Sequence, residues 1–94
     1  MPVRPASLLT WNSKMEVAVD ISLYPLDADF IPPIKDIIER LNAHAGIAVE
    51  TNPMSTQLRG DYDVVMAALK TEIGQTFEAL PKAVFAIRIL NNPL

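Results

Sequence analysis

The sequence predicts one α+β domain, with four strands and two helices in the order β-α-β-β-α-β. Three observations carry that prediction. Apolar residues alternate with polar or small ones in 16–24, the period of a half-buried strand, and 83–90 is a second strand-like run with Phe85, Ile87 and Ile89 on one face. Two segments, 30–41 and 62–80, space their apolar residues by threes and fours, as amphipathic helices do. Between them lie two short extended segments separated by Asn52-Pro53, a turn signal. A chain of 94 residues, half of them hydrophobic, is one domain with a small core.

The first strand spans Glu16 to Tyr24. Val17, Val19, Ile21 and Leu23 lie on one face; Ala18, Asp20, Ser22 and Tyr24 lie on the other. Pro25 stops it, because proline cannot donate to a sheet ladder. The first helix carries the stripe Phe30, Ile31, Ile34, Ile37, Ile38 and Leu41. Asp29 is the expected cap. Pro32 and Pro33 are tolerated in the first turn, whose amides lack intrahelical partners. Gly46 suits the left-handed residue that follows the helix end. Ile47 to Asn52 and Met54 to Gly60 are the second and third strands, an antiparallel hairpin. Asp61 caps the second helix, whose apolar stripe is Tyr62, Val65, Met66, Leu69, Ile73, Phe77 and Leu80. The last strand is Ala83 to Leu90, with Phe85, Ile87 and Ile89 on one face and Val84, Ala86, Arg88 and Leu90 on the other.

Two right-handed crossovers and a hairpin then give a ferredoxin-like βαββαβ sandwich, a four-stranded antiparallel sheet with both helices on one face. The other face stays uncovered. Ala18, Ser22, Tyr24, Val84, Ala86 and Leu90 make it half apolar, and a face of that kind predicts a homo-oligomer.

Residues 1–14 lack the apolar run of a signal peptide and precede the first strand directly. They are expected to be a flexible extension, or to precede a true start at Met15, with the domain covering 15–94. Trp11 and Leu8-Leu9 could pack on a partner subunit. No run of 18 apolar residues appears, so no membrane span is expected. The eight basic residues are scattered and the net charge is −3, which disfavours nucleic acid. With no cysteine there is no disulfide or thiolate metal site, a composition that fits the cytoplasm. His44 is the only histidine and reads as a surface residue; no metal site is expected. No Ser/His/Asp set can be assembled, and the carboxylates show no spacing that forces a pair together. The expectation is that the protein is not an enzyme and has no catalytic residues.

The stretch from Thr51 to Asp63 is richer in small polar side chains than a hairpin needs. Ile21-Ser22-Leu23-Tyr24-Pro25-Leu26, then Thr51 to Gln57, then Gly60-Asp61-Tyr62-Asp63-Val64-Val65-Met66 resemble the thiamine-binding YkoF-like family. The resemblance covers residues 15–90, and its most specific part is Met54-Ser55-Thr56-Gln57 followed by Gly60 and Tyr62. It implies a ferredoxin-like fold, assembly into dimers or tetramers, and binding of thiamine or its hydroxymethylpyrimidine part without a reaction. It also implies that Ser55 and Thr56 contribute to a pyrimidine pocket, with Asn52, Met54 and Gln57 near it.

Alternation tests this independently. If Leu58 faces the helices, so do Thr56 and Met54, while Ser55, Gln57 and Arg59 face the open side. Thr56 would then be a buried hydroxyl that must bond to something: an aminopyrimidine, or a neighbouring backbone carbonyl. Tyr24 could stack on a ring or fill a subunit interface; Tyr62 could do the former or staple its helix. Asp20 could balance a thiazolium or pair with Arg88 or Arg59. Asp61 and Asp63 repel phosphate at the second helix N-terminus, which favours the unphosphorylated vitamin. The alternative function is a regulatory or structural oligomerisation module holding another metabolite or none.

Overall fold

A computed structural model describes residues 15–93. The extension at 1–14, with Trp11 and Leu8-Leu9, lies outside the described residues. The elements are β1 (Glu16–Tyr24), α1 (Ile31–Asn42), β2 (Ile47–Thr51), β3 (Thr56–Asp61), α2 (Tyr62–Ala79) and β4 (Val84–Asn91). The strands form one antiparallel sheet in the order β2-β3-β1-β4, which is the expected ferredoxin-like arrangement. Val19 of β1 sits between Leu58 of β3 and Ile89 of β4, and Ile21 sits between Thr56 and Ile87.

β1 alternates as its sequence requires. Val17, Val19, Ile21 and Leu23 are buried beneath the helices with Ile37, Leu41, Leu58, Val65 and Leu69. Burying a side chain of this size is worth about 1.5–3 kcal/mol, so this cluster is the main source of stability. Gly46 has φ +82°, the left-handed conformation expected of it. Its carbonyl oxygen comes so close to Gly60 that a Cβ there would sit 2.8 Å away.

Two local expectations are corrected. Asp29 does not cap α1. The N-cap is Phe30, no side chain caps the helix, and the Asp29 amide instead donates to Asp27 Oδ1 at 3.0 Å. The reason is chemical: a cap serves the amides of the first turn, and Pro32 and Pro33 have none to serve. The hairpin loop is also longer than expected, running from Asn52 to Ser55, so β3 begins at Thr56 and Met54 lies outside it. Asp61 does cap α2, accepting from the Val64 amide at 3.4 Å.

The buried stripe of α2 turns polar halfway along. Val65, Ala68 and Leu69 are followed by buried Glu72 and Thr76, while Phe77 is 51% exposed. The cause lies on α1. Arg40 donates to Glu72 Oε1 at 2.5 Å, to the Glu72 carbonyl at 3.1 Å and to Thr76 Oγ1 at 2.7 Å. His44 completes the cluster with a 2.6 Å contact between Nε2 and Glu72 Oε2, so it is a half-buried tie between the helices and not a free surface residue. Burial pushes the Glu72 carboxyl up, but hydrogen bonds from His44 and Arg40 outweigh it and hold the group below its ordinary value.

β4 is barely covered by the helices. Ile87, Ile89 and Leu90 are exposed, and Phe85 meets Phe77 with ring centroids 5.6 Å apart at 58°. No helix among the described residues is long and apolar enough to cross a membrane.

Candidate functional site

A cavity of about 230 Å³ opens where the end of β1, the middle of α1 and the β2–β3 loop meet. α1 supplies Ile34, Ile37, Ile38 and Leu41, and β4 supplies Phe85, all apolar. The hairpin supplies Thr51 and Thr56, whose hydroxyls lie 3.0 Å apart, and Ser55, with Asn52, Pro53 and Met54 at the loop. β1 contributes Ser22 and Tyr24. One side of the cavity is therefore aliphatic and the other can hydrogen-bond.

Of the residues singled out in the sequence, Ser55, Thr56, Asn52, Met54 and Tyr24 line this cavity. Gln57 does not. It lies one residue beyond buried Thr56 in β3, so its side chain emerges on the helix-free face, as alternation required. Met54 is 86% exposed at the loop, not turned under the helices. Thr56 is buried, and its hydroxyl oxygen lies 3.0 Å from that of Thr51, not against a backbone carbonyl. Thr51, Ser22 and the isoleucines of α1 were not picked out from the sequence. Thr51 could have been found: with a four-residue loop it is the cross-strand partner of Thr56.

The loop is held by Asn52. Its Oδ1 accepts from the Met54 and Ser55 amides at 2.8 and 3.1 Å, and its backbone N–H donates to the Ser55 carbonyl at 3.0 Å. This turn keeps Ser55 at the cavity while its hydroxyl reaches the helix-free face and donates to Asp20 Oδ1 at 2.5 Å. Asp20 also accepts from Gln57 Nε2 at 3.0 Å and from Arg88, whose Nη2 lies at 2.6 Å. The Ser55, Arg88 and Gln57 hydrogen bonds lower the Asp20 pKa from 3.8 to about 2. Asp20 thus pairs with Arg88; Arg59 instead pairs with Glu16 at 2.9 Å. Tyr62 opens α2, with its backbone amide bonded to the Met15 carbonyl at 2.7 Å. Among the described residues no three His, Cys, Asp or Glu side chains form a metal-sized group.

The thiamine-binding protein family matches residues 19–93, which takes in every element of the fold except the start of β1. The chain belongs to that family. This agrees with the resemblance carried by 21–26, 51–57 and 60–66. For a thiamine-binding family member, a thiamine-related small molecule is the class of ligand, and the family name describes binding and not catalysis. No curated protein matches the chain in sequence. Solved structures do match. A hypothetical protein of Methanocaldococcus jannascii is 28% identical, with a TM-score of 0.73 over 83% of this chain and 81% of its own. A Streptococcus pneumoniae protein is 17% identical, with a TM-score of 0.69 over 85% of this chain and 90% of its own. A Thermotoga maritima protein, provisionally named for thiamine biosynthesis or salvage, is 21% identical with a TM-score of 0.61, covering 79% of this chain and 81% of its own. The last two likenesses are likenesses of fold.

Proposed function

We propose that the domain at 15–94 binds thiamine, or its hydroxymethylpyrimidine part, without transforming it, and that it does so as a homo-oligomer. The observation that carries this reading is the two-sided cavity, with Thr51, Ser55 and Thr56 on one side and Ile34, Ile37 and Ile38 on the other. An aminopyrimidine has apolar ring faces and a hydrogen-bonding edge, and it suits such a site. At about 230 Å³ the cavity falls below the roughly 300–1,000 Å³ of pockets for drug-sized molecules. That size favours one ring held inside, with the rest of the vitamin toward the opening.

Among the described residues the lining contains no histidine, lysine, arginine or carboxylate. No imidazole, amine or carboxylate among those described residues is there to act as a general base, which supports binding over catalysis. No cation among the described residues is there to meet a pyrophosphate, which favours the unphosphorylated vitamin. For self-association the support is β4, a sheet edge of eight residues whose Val84, Ile87, Ile89 and Leu90 are exposed.

Thermal melting with added thiamine tests the binding reading. A ligand at 100 times its Kd stabilises the folded state by about 2.7 kcal/mol, so the midpoint should climb with concentration. A midpoint that stays fixed up to millimolar thiamine and hydroxymethylpyrimidine would favour the oligomerisation module.

A further inference from the structure

Met54 stands apart from the other described methionines. Its side chain is 86% exposed, against 56% for Met15, and Met66 is partly buried where it packs against the core. Met1 lies outside the described residues. A side chain so exposed contributes almost no burial to the fold. The loop nevertheless holds its backbone in place: the Met54 amide donates to Asn52 Oδ1 at 2.8 Å, and the Asn52 backbone N–H closes the turn on the Ser55 carbonyl at 3.0 Å. Met54 lines the cavity together with Tyr24, Asn52 and Pro53, so with this exposure it sits at the rim.

The chain has no cysteine, and methionine thioethers are the only sulfur it offers to an oxidant. An exposed thioether meets a dissolved oxidant freely, and a packed one does not. We propose that Met54 is the site at which this domain is oxidised by peroxide, and that its oxidation weakens occupancy of the cavity. The first half stands on exposure and position; the second rests on the vitamin reading above.

The thioether sulfur attacks one oxygen of hydrogen peroxide. The S–O bond forms as the O–O bond breaks, and the departing hydroxide takes the proton from the transferred oxygen and becomes water. Sulfur loses two electrons and the peroxide gains them. The product, methionine sulfoxide, is polar and chiral where the thioether was apolar and pliable, and sulfoxide reductases reverse the change. A ligand entering the cavity covers part of its rim. Covering a thioether strips little bound water. Covering a sulfoxide strips a strong acceptor of its water, and the aliphatic wall of Ile34 and Ile38 offers no donor in return. The fold itself does not depend on the Met54 side chain, so the cost falls on binding.

The test is timed treatment of the full chain with dilute hydrogen peroxide, removal of the peroxide and peptide mass spectrometry, followed by calorimetric titration with thiamine. Met54 sulfoxide should form before that of Met15 or Met66. Protein carrying it should keep its circular dichroism and melting midpoint, and should bind thiamine about tenfold more weakly. Treatment with both sulfoxide reductases, one for each epimer, should restore the affinity. Met54→Leu, compared with itself before and after peroxide, should show no change. Met15 or Met66 oxidising first would overturn the assignment of the site. Unchanged affinity in protein oxidised at Met54, or an equal loss in treated Met54→Leu, would overturn the effect on the cavity. If untreated wild type binds no thiamine, the vitamin reading fails and the effect on the cavity fails with it, while the order of oxidation still decides the site.

Discussion

Thr51 and Thr56 hold their hydroxyl oxygens 3.0 Å apart across the β2–β3 hairpin, at the wall of the cavity. Thr56 is only 6% exposed, and a buried hydroxyl without a partner costs about 1–3 kcal/mol. Thr51 relieves that cost in the free protein. The pair therefore keeps the site stable when empty and keeps its hydrogen-bonding capacity for a ligand.

Thr56→Val tests the pair. Valine keeps the shape and the strand preference and removes the hydroxyl, and Thr51 is exposed enough to turn to water. Stability should change by no more than about 1 kcal/mol, while thiamine affinity should fall at least about tenfold, a loss of roughly 1.4 kcal/mol. Unchanged affinity in this variant would sink the role of Thr56.

The helix-tying cluster predicts a large stability effect away from the cavity. Glu72→Ala leaves the Arg40 guanidinium, only 15% exposed, without its main partner. Removing one member of a buried ion pair costs about 3–5 kcal/mol. Asp36 and Thr76 still hold Arg40, so about 2–3 kcal/mol is expected here. Chemical denaturation should report it, and a loss below about 0.5 kcal/mol would contradict the account of an energetically coupled cluster.

Much of this was legible in the sequence, and the failures have physical causes. β1 was readable because a central strand with one buried face must alternate, and Val17 to Leu23 do. Of α2, the extent and the partly buried Ile73 were readable, and the fully buried stripe as far as Leu69. Beyond it the buried positions are Glu72 and Thr76, chosen by Arg40 on another helix, and no periodicity within α2 reports a partner 32 residues away. His44 was misread for the same reason. The hydroxyls of Ser55 and Thr56 were visible as polar residues in a strand context. The isoleucines that complete the cavity were not, because an apolar stripe reads alike whether it packs or lines a hole.

Acid should weaken the protein through Asp20. Its folded pKa, about 2, lies below the ordinary 3.8, so the unfolded chain binds the proton first. The stabilisation is fully present above pH 3.8 and is lost as pH falls toward 2. Glu72, also lowered, acts with the same sign. Denaturation midpoints measured from pH 5 to pH 2 should fall less steeply for Asp20→Asn than for wild type. Parallel curves would refute the assignment.

Gly60→Ala should destabilise without touching the cavity. The new Cβ would meet the Gly46 carbonyl oxygen at 2.8 Å, and that oxygen belongs to the backbone of a constrained turn. Overpacking of this kind costs about 1–3 kcal/mol, which should lower the melting temperature by several degrees. A melting temperature equal to wild type would contradict it.

Self-association through β4 predicts that Ile89→Glu lowers the mass seen by light scattering while the circular dichroism spectrum stays native. Ile89 is 49% exposed, so a charge there costs the isolated domain little. A wild-type protein that is monomeric at every concentration would remove the oligomer from the account.

The central claim is that the cavity between α1 and the β2–β3 hairpin holds the pyrimidine of thiamine. Isothermal titration calorimetry of the purified protein with thiamine, hydroxymethylpyrimidine and thiamine pyrophosphate tests it most directly. The account predicts saturable binding of the first two, with the pyrophosphate form weaker because no cation among the described residues lines the site. No heat with any of the three, from protein verified to be folded, would contradict it.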